Sequence, residues 1–380
     1  MNGQPATLGG RGGGQLGRMF VQAAQRMGYA TAVLDPDAAS PAGLVSHHHI
    51  QTAYLDESGL NQLIACSAAI TTEFENVPAP ALRLLAAQRP VAPSADAVAI
   101  AQDRAKEKAH FRRCGVPCAP YAVIETAQQL TTVDDALLPG ILKTTRLGYD
   151  GKGQMRVSTR AELAAAWAEM KSVPCVLEKM LPLKTEYSVI VARGRDGTVV
   201  NFPPQLNRHR EGILAVTEVH DGNMPSAIAS HAIDATKSIA NGLQYVGVLC
   251  VEFFVLQDDS LIVNEMSPRP HNSGHYTLNA CDQSQFDLQV RTLACLPLTQ
   301  PRLYCPCIML NLLGELWLAF NDTPPWDKVL ALSGTHLHLY GKQKASRGRK
   351  MGHLNVTGAS VAEVRATALA AAQLLGIEAF

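Results

Sequence analysis

The stretch from Val246 to Tyr276 constrains the fold most, because its pattern predicts a β-hairpin that carries two acidic residues. Two apolar runs, 246–256 and 261–263, flank the turn residues Gln-Asp-Asp-Ser, and turn residues between β-rich runs are typical of a hairpin. A turn centred on the two aspartates places Glu252 opposite Glu265. A lone charge buried among Val, Phe, Leu and Ile is costly without a partner, so we expect the pair to share a cation.

The chemistry of this pair predicts a magnesium site. Magnesium takes hard oxygen ligands and keeps waters and substrate phosphates in its shell, and facing carboxylates on neighbouring strands lie within reach of one ion. Asn264 offers a further oxygen. The alternative is two exposed carboxylates on the rim of an edge hairpin. The polar loop 267–275, which two prolines stiffen, favours the ligand site.

Length and composition indicate a multidomain globular protein. A chain of 380 residues is too long for one ordinary core, so two or three domains are expected. Lys plus Arg and Asp plus Glu balance at 33 each, which gives no reason to expect nucleic acid or an anionic membrane as a partner. The sequence shows neither an apolar run long enough to span a membrane nor a signal-peptide pattern. We therefore expect a cytoplasmic protein whose nine cysteines, with no paired zinc pattern, are reduced.

A glycine-rich loop near the N-terminus predicts a nucleotide-binding βαβ unit. The loop 9–17 follows a short apolar strand and precedes apolar residues at helical spacing. Gly12, Gly14 and Gly17 satisfy GxGxxG, and Asp35 closes the next strand, which raises a dinucleotide-binding hypothesis. The alternative is that glycine serves only to turn tightly into the helix.

Two further polar residues stand out in the first part of the chain. Glu73 follows the apolar strand 68–72, and ligands bind at the carboxyl ends of strands in open parallel sheets. The alternative for Glu73 is a helix-capping acid. Arg104 lies in the mixed-charge helical run AQDRAKEK and, taken alone, reads as a solvated surface residue.

The middle of the chain carries a pattern suited to nucleotide phosphates. Lys143 ends an apolar strand, and the loop 148–154 adds three glycines and a second lysine. Such a loop suits a flexible cover whose amides and cations close over phosphates, although an ordinary glycine hairpin is the alternative. Glu178–Leu181 then ends another apolar strand, and Glu186 follows, as expected for a strand edge that contacts a nucleoside.

Five segments in register resemble the ATP-grasp superfamily, and most closely its ligases that carboxylate 5-aminoimidazole ribonucleotide in purine biosynthesis. The resemblance preserves their order and covers nearly the whole chain. The segments are GGGQLGRM at 12–19, TEFENV at 72–77, GYDGKGQ at 148–154, NEMSPRPHNSGHYT at 264–277 and GRKMGHLN at 348–355.

The resemblance implies an α/β and α+β multidomain fold. The expected domains are a Rossmann-like N-terminal domain at 1–95, an ATP-grasp domain at 96–298 and a small β-rich C-terminal domain at 299–380. Within the ATP-grasp domain a mobile lid is expected at about 120–185. The resemblance further implies a homodimer.

The resemblance also assigns ligand contacts residue by residue. The implied ATP contacts are Arg104, Lys143, Gly148, Tyr149, Asp150, Gly151, Lys152, Gly153, Gln154, Glu178, Lys179, Met180, Leu181, Glu186, His209, Asn264 and Glu265. The implied ligands of magnesium, or of manganese in its place, are Glu252 and Glu265. The implied ribonucleotide contacts are Glu73, Tyr149, Asp150, Lys152, Arg269, His271, Asn272, Ser273, Lys342 and Arg349.

The implied reaction phosphorylates bicarbonate with ATP and transfers the carboxyl group of carboxyphosphate to the amine of 5-aminoimidazole ribonucleotide, directly or through released carbon dioxide. Arg269 and His271 are expected to steady the anionic intermediate, and Asp150 to orient the amine. A basic cluster at 342–350 holds five cations, which suits a 5′-phosphate anchor. The alternative for that cluster is a solvated loop.

Two departures from the family pattern and three rival functions remain at this stage. Met180 stands where an aromatic residue is expected, and Leu206 where an acid is common. The rivals are another ATP-grasp ligase or formate-dependent transformylase, an NAD(P)-binding oxidoreductase and a non-catalytic nucleotide-binding scaffold. A scaffold has no physical need for Lys143 and the two metal carboxylates, and an oxidoreductase leaves the carboxylate pair unexplained.

Overall fold

The computed structural model describes residues 6–74, 76–146, 148 and 153–380. Its strands form three sheets. The strands are β1 (Thr7–Arg11), β2 (Ala30–Leu34), β3 (His48–Ile50), β4 (Ala69–Thr72), β5 (Tyr121–Ile124), β6 (Gly140–Thr144), β7 (Gln154–Val157), β8 (Cys175–Lys179), β9 (Leu183–Arg193), β10 (Val199–Asn201), β11 (Gln205–Arg210), β12 (Ile213–Val219), β13 (Gly247–Leu256), β14 (Leu261–Ser267), β15 (Cys307–Leu313), β16 (Thr335–Leu339) and β17 (Lys350–Thr357).

The α-helices cover these sheets and connect their strands. They are α1 (Gln15–Arg26), α2 (Glu57–Cys66), α3 (Ala79–Ala86), α4 (Ala95–Ala101), α5 (Arg104–Arg113), α6 (Ala127–Thr132), α7 (Arg160–Glu169), α8 (Ser226–Gly242), α9 (Thr277–Ala280), α10 (Gln285–Leu293), α11 (Gly314–Ala319), α12 (Trp326–Leu330) and α13 (Val361–Leu374).

The N-terminal sheet is parallel, with strand order β3-β2-β1-β4. The predicted strand, glycine turn and helix are all present, since β1 leads through the glycine loop into α1. Leu16, Met19 and Phe20 are buried because their helical spacing puts them on one face of α1. Gly12 has a φ of +97°, a backbone conformation that favours glycine.

The central sheet runs without interruption into the C-terminal strands. Its order is β14-β13-β9-β11-β12-β15-β17-β16, with β10 also paired to β9. Strand β12 pairs antiparallel with β15, so Val216 lies opposite Leu310. Val216 packs in one cluster with Leu310 and Val356. The predicted β-rich C-terminal part is therefore an extension of the central sheet.

The third sheet forms a separate layer and has the order β5-β8-β6-β7. It has its own core, which includes Ile124, Leu142 and Leu177. We call residues 121–179 the lid sheet. It lies within the range where the sequence predicts a lid, and the numerical domain boundaries at 95/96 and 298/299 stay predictions.

The hairpin β13–β14 pairs Glu252 with Glu265, as the sequence predicts. The two strands reach this pairing through a β-bulge. Val255 pairs with Leu261 and Phe253 with Val263, and a shift after Phe253 then leaves Asn264 as an extra residue. Without that bulge, Glu252 would face Asn264.

All nine cysteines are free thiols in this structure. Across the described part of the chain, no helix is both long and apolar enough to cross a lipid bilayer.

Candidate active site

The carboxylates of Glu252 and Glu265 lie side by side on β13 and β14, and each has one cationic or imidazole partner. Glu252 Oε1 accepts a hydrogen bond from His271 Nε2 at 3.0 Å. Glu265 Oε2 accepts one from Arg104 Nη1 at 2.9 Å. The charge of His271 outweighs burial, which alone would raise the pKa of Glu252, and lowers that pKa to about 2. Glu252 is therefore an anion at neutral pH.

Asn264 supports a hard cation at this pair. Its Oδ1 atom is buried and has no hydrogen-bond partner, and a buried amide oxygen left unpaired is costly. The bulge sets Asn264 on β14 between the Phe253–Val263 and Glu252–Glu265 pairs, so it directly precedes Glu265 in the same strand. Among the described residues no three His, Cys, Asp or Glu side chains converge as a metal site. Two carboxylates and an amide, completed by water and phosphate, are what magnesium commonly takes.

A buried ion-pair cluster lies where the lid sheet meets α5. The Nζ atoms of Lys108 and Lys143 are each 3.2 Å from Glu178 Oε2. Burial raises the pKa of Glu178, but the two lysines and Arg104 outweigh it, and the net shift is downward. Burial lowers the pKa of Lys143 despite the opposing charge of Glu178. Cations of this density suit a polyphosphate.

The sequence interpretation missed Lys108. It lies in the run AQDRAKEK, which reads as a mixed-charge surface helix, yet only 1% of Lys108 is exposed. Glu107 beside it is also buried, and its Oε1 accepts from Met266 N at 2.7 Å. Charged residues are so rarely buried that the pattern alone gives no signal for either.

The predicted lid loop is described in part. Gly148 is half-buried, and Gly153 has a φ of +70° and accepts from Thr144 N at 2.9 Å. Gln154 begins β7 and is exposed. The predicted contacts Tyr149, Asp150, Gly151 and Lys152 lie outside the described residues.

The predicted adenine-binding segment ends β8 at the edge of the lid sheet. Lys179 and Met180 are exposed, and Leu181 is half-buried. Met180 N donates to Pro139 O at 3.0 Å, so that amide is engaged within the lid sheet. The Met180 side chain, which departs from the family pattern, faces solvent with 42% of its surface exposed.

Glu186 and His209 face each other across β9 and β11, with His209 Nδ1 2.7 Å from Glu186 Oε2. Burial lowers the pKa of His209, but the hydrogen bond to Glu186 and the charges of Glu252 and Glu265 outweigh it and raise that pKa. His209 therefore belongs to the same electrostatic group as the metal carboxylates. Leu206, the second departure, leaves this pairing intact.

Glu73 lies on the backbone amides of the N-terminal glycine loop. Its carboxylate accepts from Gly14 N at 2.5 Å and from Gly17 N at 2.7 Å. Burial raises the pKa of Glu73, and the two amides oppose that shift. The amides at the start of α1 form an anion site, which here holds an acid of the same chain.

The Asp35 carboxylate also binds the N-terminal glycine loop. Its Oδ2 atom accepts from Gly13 N at 2.6 Å and from Tyr54 Oη at 2.5 Å. The dinucleotide hypothesis needs this carboxylate for a ribose hydroxyl. In this structure Asp35 instead stabilises the glycine loop.

A cationic group from the C-terminal part faces Glu73. Burial lowers the pKa of Lys342 to about 8, helped by Arg349 and opposed by Glu73. Lys342 Nζ donates to Lys350 O at 2.7 Å, and Arg349 Nη1 donates to Lys344 O at 2.6 Å. The glycine loop and the basic cluster therefore meet in one place.

Arg269 connects this group with the carboxylate pair. Arg269 lines a small cavity together with Thr72, the residue before Glu73, and lies two residues before His271, which contacts Glu252. Arg269 Nη1 also donates to Pro270 O at 3.1 Å. The predicted nucleotide and ribonucleotide contacts thus form two adjoining groups.

The loop after β14 contributes His271, Asn272 and Ser273. Both side-chain polar atoms of Asn272 are buried and have no hydrogen-bond partner, which leaves the amide available to a ligand. Ser273 is fully buried, and its hydroxyl lies 2.8 Å from His271 Nδ1. A direct contact between Ser273 and a substrate would require this loop to open.

A buried polar network beneath the loop was not predicted. It includes Ser188 and Gln205, both fully buried. Serine and glutamine in strands carry no sequence pattern that distinguishes a buried network from a solvated face, so these two residues could not be predicted.

Three family models match the chain in order. They are the ribonucleotide synthetase preATP-grasp domain at residues 6–102, the ATP-grasp domain at 109–286 and the phosphoribosylaminoimidazole carboxylase C-terminal domain at 307–367. Together they span the glycine loop, the carboxylate pair and the basic cluster.

Relatives and solved structures agree with these models. A Brucella melitensis protein named N5-carboxyaminoimidazole ribonucleotide synthase is 42% identical over 356 residues, which cover 92% of this chain and 95% of that protein. The Staphylococcus aureus N5-carboxyaminoimidazole synthetase complexed with ADP matches at a TM-score of 0.89 and 36% identity, covering 96% of each chain. The Aspergillus clavatus synthase in complex with ADP and 5-aminoimidazole ribonucleotide matches at 0.90 and 30% identity, covering 98% of this chain and 99% of that one. The chain therefore belongs to the N5-carboxyaminoimidazole ribonucleotide synthase family of ATP-grasp enzymes.

Proposed function

We propose that the protein is an ATP-dependent carbon–nitrogen ligase that carboxylates 5-aminoimidazole ribonucleotide with bicarbonate in purine biosynthesis. The products are N5-carboxyaminoimidazole ribonucleotide, ADP and phosphate. The observation that carries the proposal is the position of Arg269, which lines one cavity with Thr72, next to Glu73, and lies two residues before His271, the partner of Glu252. A reaction between two bound substrates needs their sites to adjoin.

The nucleotide side comprises the carboxylate pair and the lysine cluster. Arg104, Lys108 and Lys143 supply positive charge, and Glu186 and His209 lie on the neighbouring strands. Glu252, Glu265 and Asn264 would hold magnesium, which would neutralise charge on the phosphates. Because phosphoryl transfer depends mainly on positioning and charge, these residues suffice to hold ATP in line.

The ribonucleotide side comprises the glycine loop and the basic cluster. Lys342 and Arg349 anchor the 5′-phosphate, since guanidinium and ammonium groups bind phosphate strongly. Glu73 and Asn272 offer polar contacts to the sugar and base. The roles of Tyr149, Asp150 and Lys152 stay predictions from the sequence.

In the proposed reaction a bicarbonate oxygen attacks the terminal phosphorus of ATP, and ADP leaves. The exocyclic amine then attacks the carboxyl carbon of carboxyphosphate, or it attacks carbon dioxide after carboxyphosphate has broken down to carbon dioxide and phosphate. The bond from that carbon to the phosphate oxygen breaks, phosphate leaves with the electron pair, and the amine loses a proton. Arg269 and His271 face the developing negative charge, and closure of the lid sheet excludes water from the labile intermediate.

The test is ADP release by the purified protein with ATP, magnesium and bicarbonate, with and without 5-aminoimidazole ribonucleotide. We expect release to rise when the ribonucleotide is added. We expect Glu265→Gln to lower kcat by at least about 100-fold, because it weakens the metal site and the Arg104 pair together. Asp96→Asn is the control, since Asp96 of α4 is exposed and pairs at the surface with Arg83 of α3.

If ADP release does not depend on the ribonucleotide, the same ATP-grasp site acts on a different amine. An unchanged kcat in Glu265→Gln would remove that residue from the metal site. The homodimer and the cytoplasmic location stay predictions of the sequence.

A further inference from the structure

We propose that Ser188 is a positioning residue for the His271 imidazole and acts on it through Ser273. The inference rests on the proposed role of His271 beside the carboxylate pair. Ser188 lies on β9 and contacts no substrate, because it is fully buried. Its effect on the reaction is therefore indirect.

A chain of hydrogen bonds connects Ser188 to the metal site. Ser188 Oγ lies 2.8 Å from Ser273 Oγ, and Ser273 Oγ lies 2.8 Å from His271 Nδ1. The other ring nitrogen, His271 Nε2, lies 3.0 Å from Glu252 Oε1. The imidazole is thus held from both nitrogens, with the carboxylate on one side and the buried hydroxyls on the other.

Ser188 is the branch point of this network. Asn207 Nδ2 donates to Ser188 Oγ at 2.8 Å, and Ser188 Oγ donates to Gln205 Oε1 at 3.0 Å. Thr217 Oγ1 donates to Asn207 Oδ1 at 3.0 Å, which fixes the orientation of that amide. Without the Ser188 hydroxyl, Ser273, Asn207 and Gln205 therefore each lose one hydrogen bond.

The main chain of His271 is held separately, which isolates the role of Ser188. Gln285 on α10 accepts from His271 N at 2.8 Å and donates to His271 O at 2.7 Å. These two bonds fix the backbone whatever the side chain does. Rotation of the ring is opposed by Glu252 at Nε2 and by Ser273 at Nδ1, where the Ser273 amide lies 3.4 Å away and its hydroxyl, which Ser188 orients, lies 2.8 Å away. Small errors in such an orientation lower kcat more than substrate binding.

The experiment measures kcat and both substrate KM values in Ser188→Ala, His271→Ala and the double variant. We expect Ser188→Ala to lower kcat about tenfold, the effect of one lost hydrogen bond, with both KM values nearly unchanged. We expect the double variant to match His271→Ala within about twofold, because residues that act through one another are not additive. Ser188→Thr, which keeps a hydroxyl, should recover most of the loss.

Thr236→Val is the matched control. Thr236 is also fully buried, and its hydroxyl donates to Ala232 O at 2.7 Å within α8. We expect a similar loss of Tm from it as from Ser188→Ala, with kcat unchanged. If Ser188→Ala does not fold, Ser273→Ala removes the next link and carries the same expectations.

The two proposals fail in different ways. If His271→Ala turns over at the wild-type rate, the role of His271 is wrong. If His271→Ala is impaired while Ser188→Ala keeps the wild-type kcat, or if the two losses add, only the positioning role of Ser188 is wrong.

Discussion

Glu178 is a single carboxylate shared by two buried lysines, which makes it a structural as well as a functional residue. Its side chain is 6% exposed, and those of Lys108 and Lys143 are 1% and 10% exposed. Each ammonium group out of water needs a compensating charge. The anion of Glu178 therefore permits two cations to lie close together in the protein interior.

We expect Glu178→Gln to destabilise the protein by about 3 kcal/mol, because it leaves two buried lysines facing a neutral amide. The measurement is thermal unfolding with hydrogen exchange followed in β6 and β8. Asp259→Asn is the control, since Asp259 pairs with Lys184 at the exposed turn of the hairpin and exposed pairs contribute about 0–1 kcal/mol. Equal losses in the two variants would contradict the shared-charge assignment.

Individual residues also show which features could be predicted from the sequence and which could not. Turn chemistry and strand pattern predicted that Glu252 faces Glu265, but the turn alone would place Glu252 opposite Asn264, and the pairing is reached through the bulge. Other parts of the chain contact β14 beside this bulge, with Val263 N donating to Pro117 O and Met266 N to Glu107 Oε1. Lys108 and Ser188 were missed for a related reason, since burial of a polar residue depends on partners far away in the chain.

At the scale of elements, the loop between β1 and α1 is built around a close approach to Glu73. A Cβ atom on Gly12 would lie 2.4 Å from Glu73 Cγ and 2.8 Å from Phe74 Cδ1. The positive φ of Gly12 adds backbone strain for any other residue. The GxGxxG pattern predicted this strand–turn–helix correctly, because local sterics dictate it, whereas the acid it faces comes from β4.

We expect Gly12→Ala to raise the KM for the ribonucleotide by about tenfold, or ~1.4 kcal/mol, because it displaces Glu73. The assay is ADP release at varied ribonucleotide concentration. Gly28→Ala is the control, since Gly28 has a φ of +83° and nothing within 4 Å of an added Cβ. A similar rise in both variants would attribute the effect to backbone strain alone.

At the scale of the whole molecule, three stacked imidazoles join the active-site loop to the C-terminal strands. The ring of His353 on β17 lies 4.6 Å from His275 of the loop and 4.5 Å from His338 of β16. Burial lowers the pKa of all three, to about 4 for His338, and their mutual charges act in the same direction. The charge of His336 further lowers the pKa of His338. The charges of His271, Lys350 and Arg269 further lower the pKa of His275.

This stack predicts a loss of stability in acid. Because the folded-state pKa of His338 lies below its unfolded value near 6.5, its contribution is complete above that value and is lost as the pH falls from 6.5 towards 4. The loss is about 2 kcal/mol by pH 5. We expect His338→Gln to show a smaller fall in Tm between pH 7.5 and pH 5.0 than the wild type.

His48→Gln, which changes an exposed histidine of β3, is the control for this comparison. Its Tm should fall with pH as the wild type does. If His338→Gln falls just as steeply, the stack does not contribute to acid sensitivity.

The unbroken pairing of β12 with β15 has a mechanical consequence. The segment from β16 to β17, with Lys342 and Arg349, belongs to the same sheet as Glu252 and Glu265. If that segment anchors the acceptor as proposed, one continuous sheet holds both the acceptor and the carboxylate pair, while the described strands of the lid form a sheet of their own. Movement of the lid sheet then repositions Lys143 relative to the carboxylate pair without changing the separation between that pair and the acceptor.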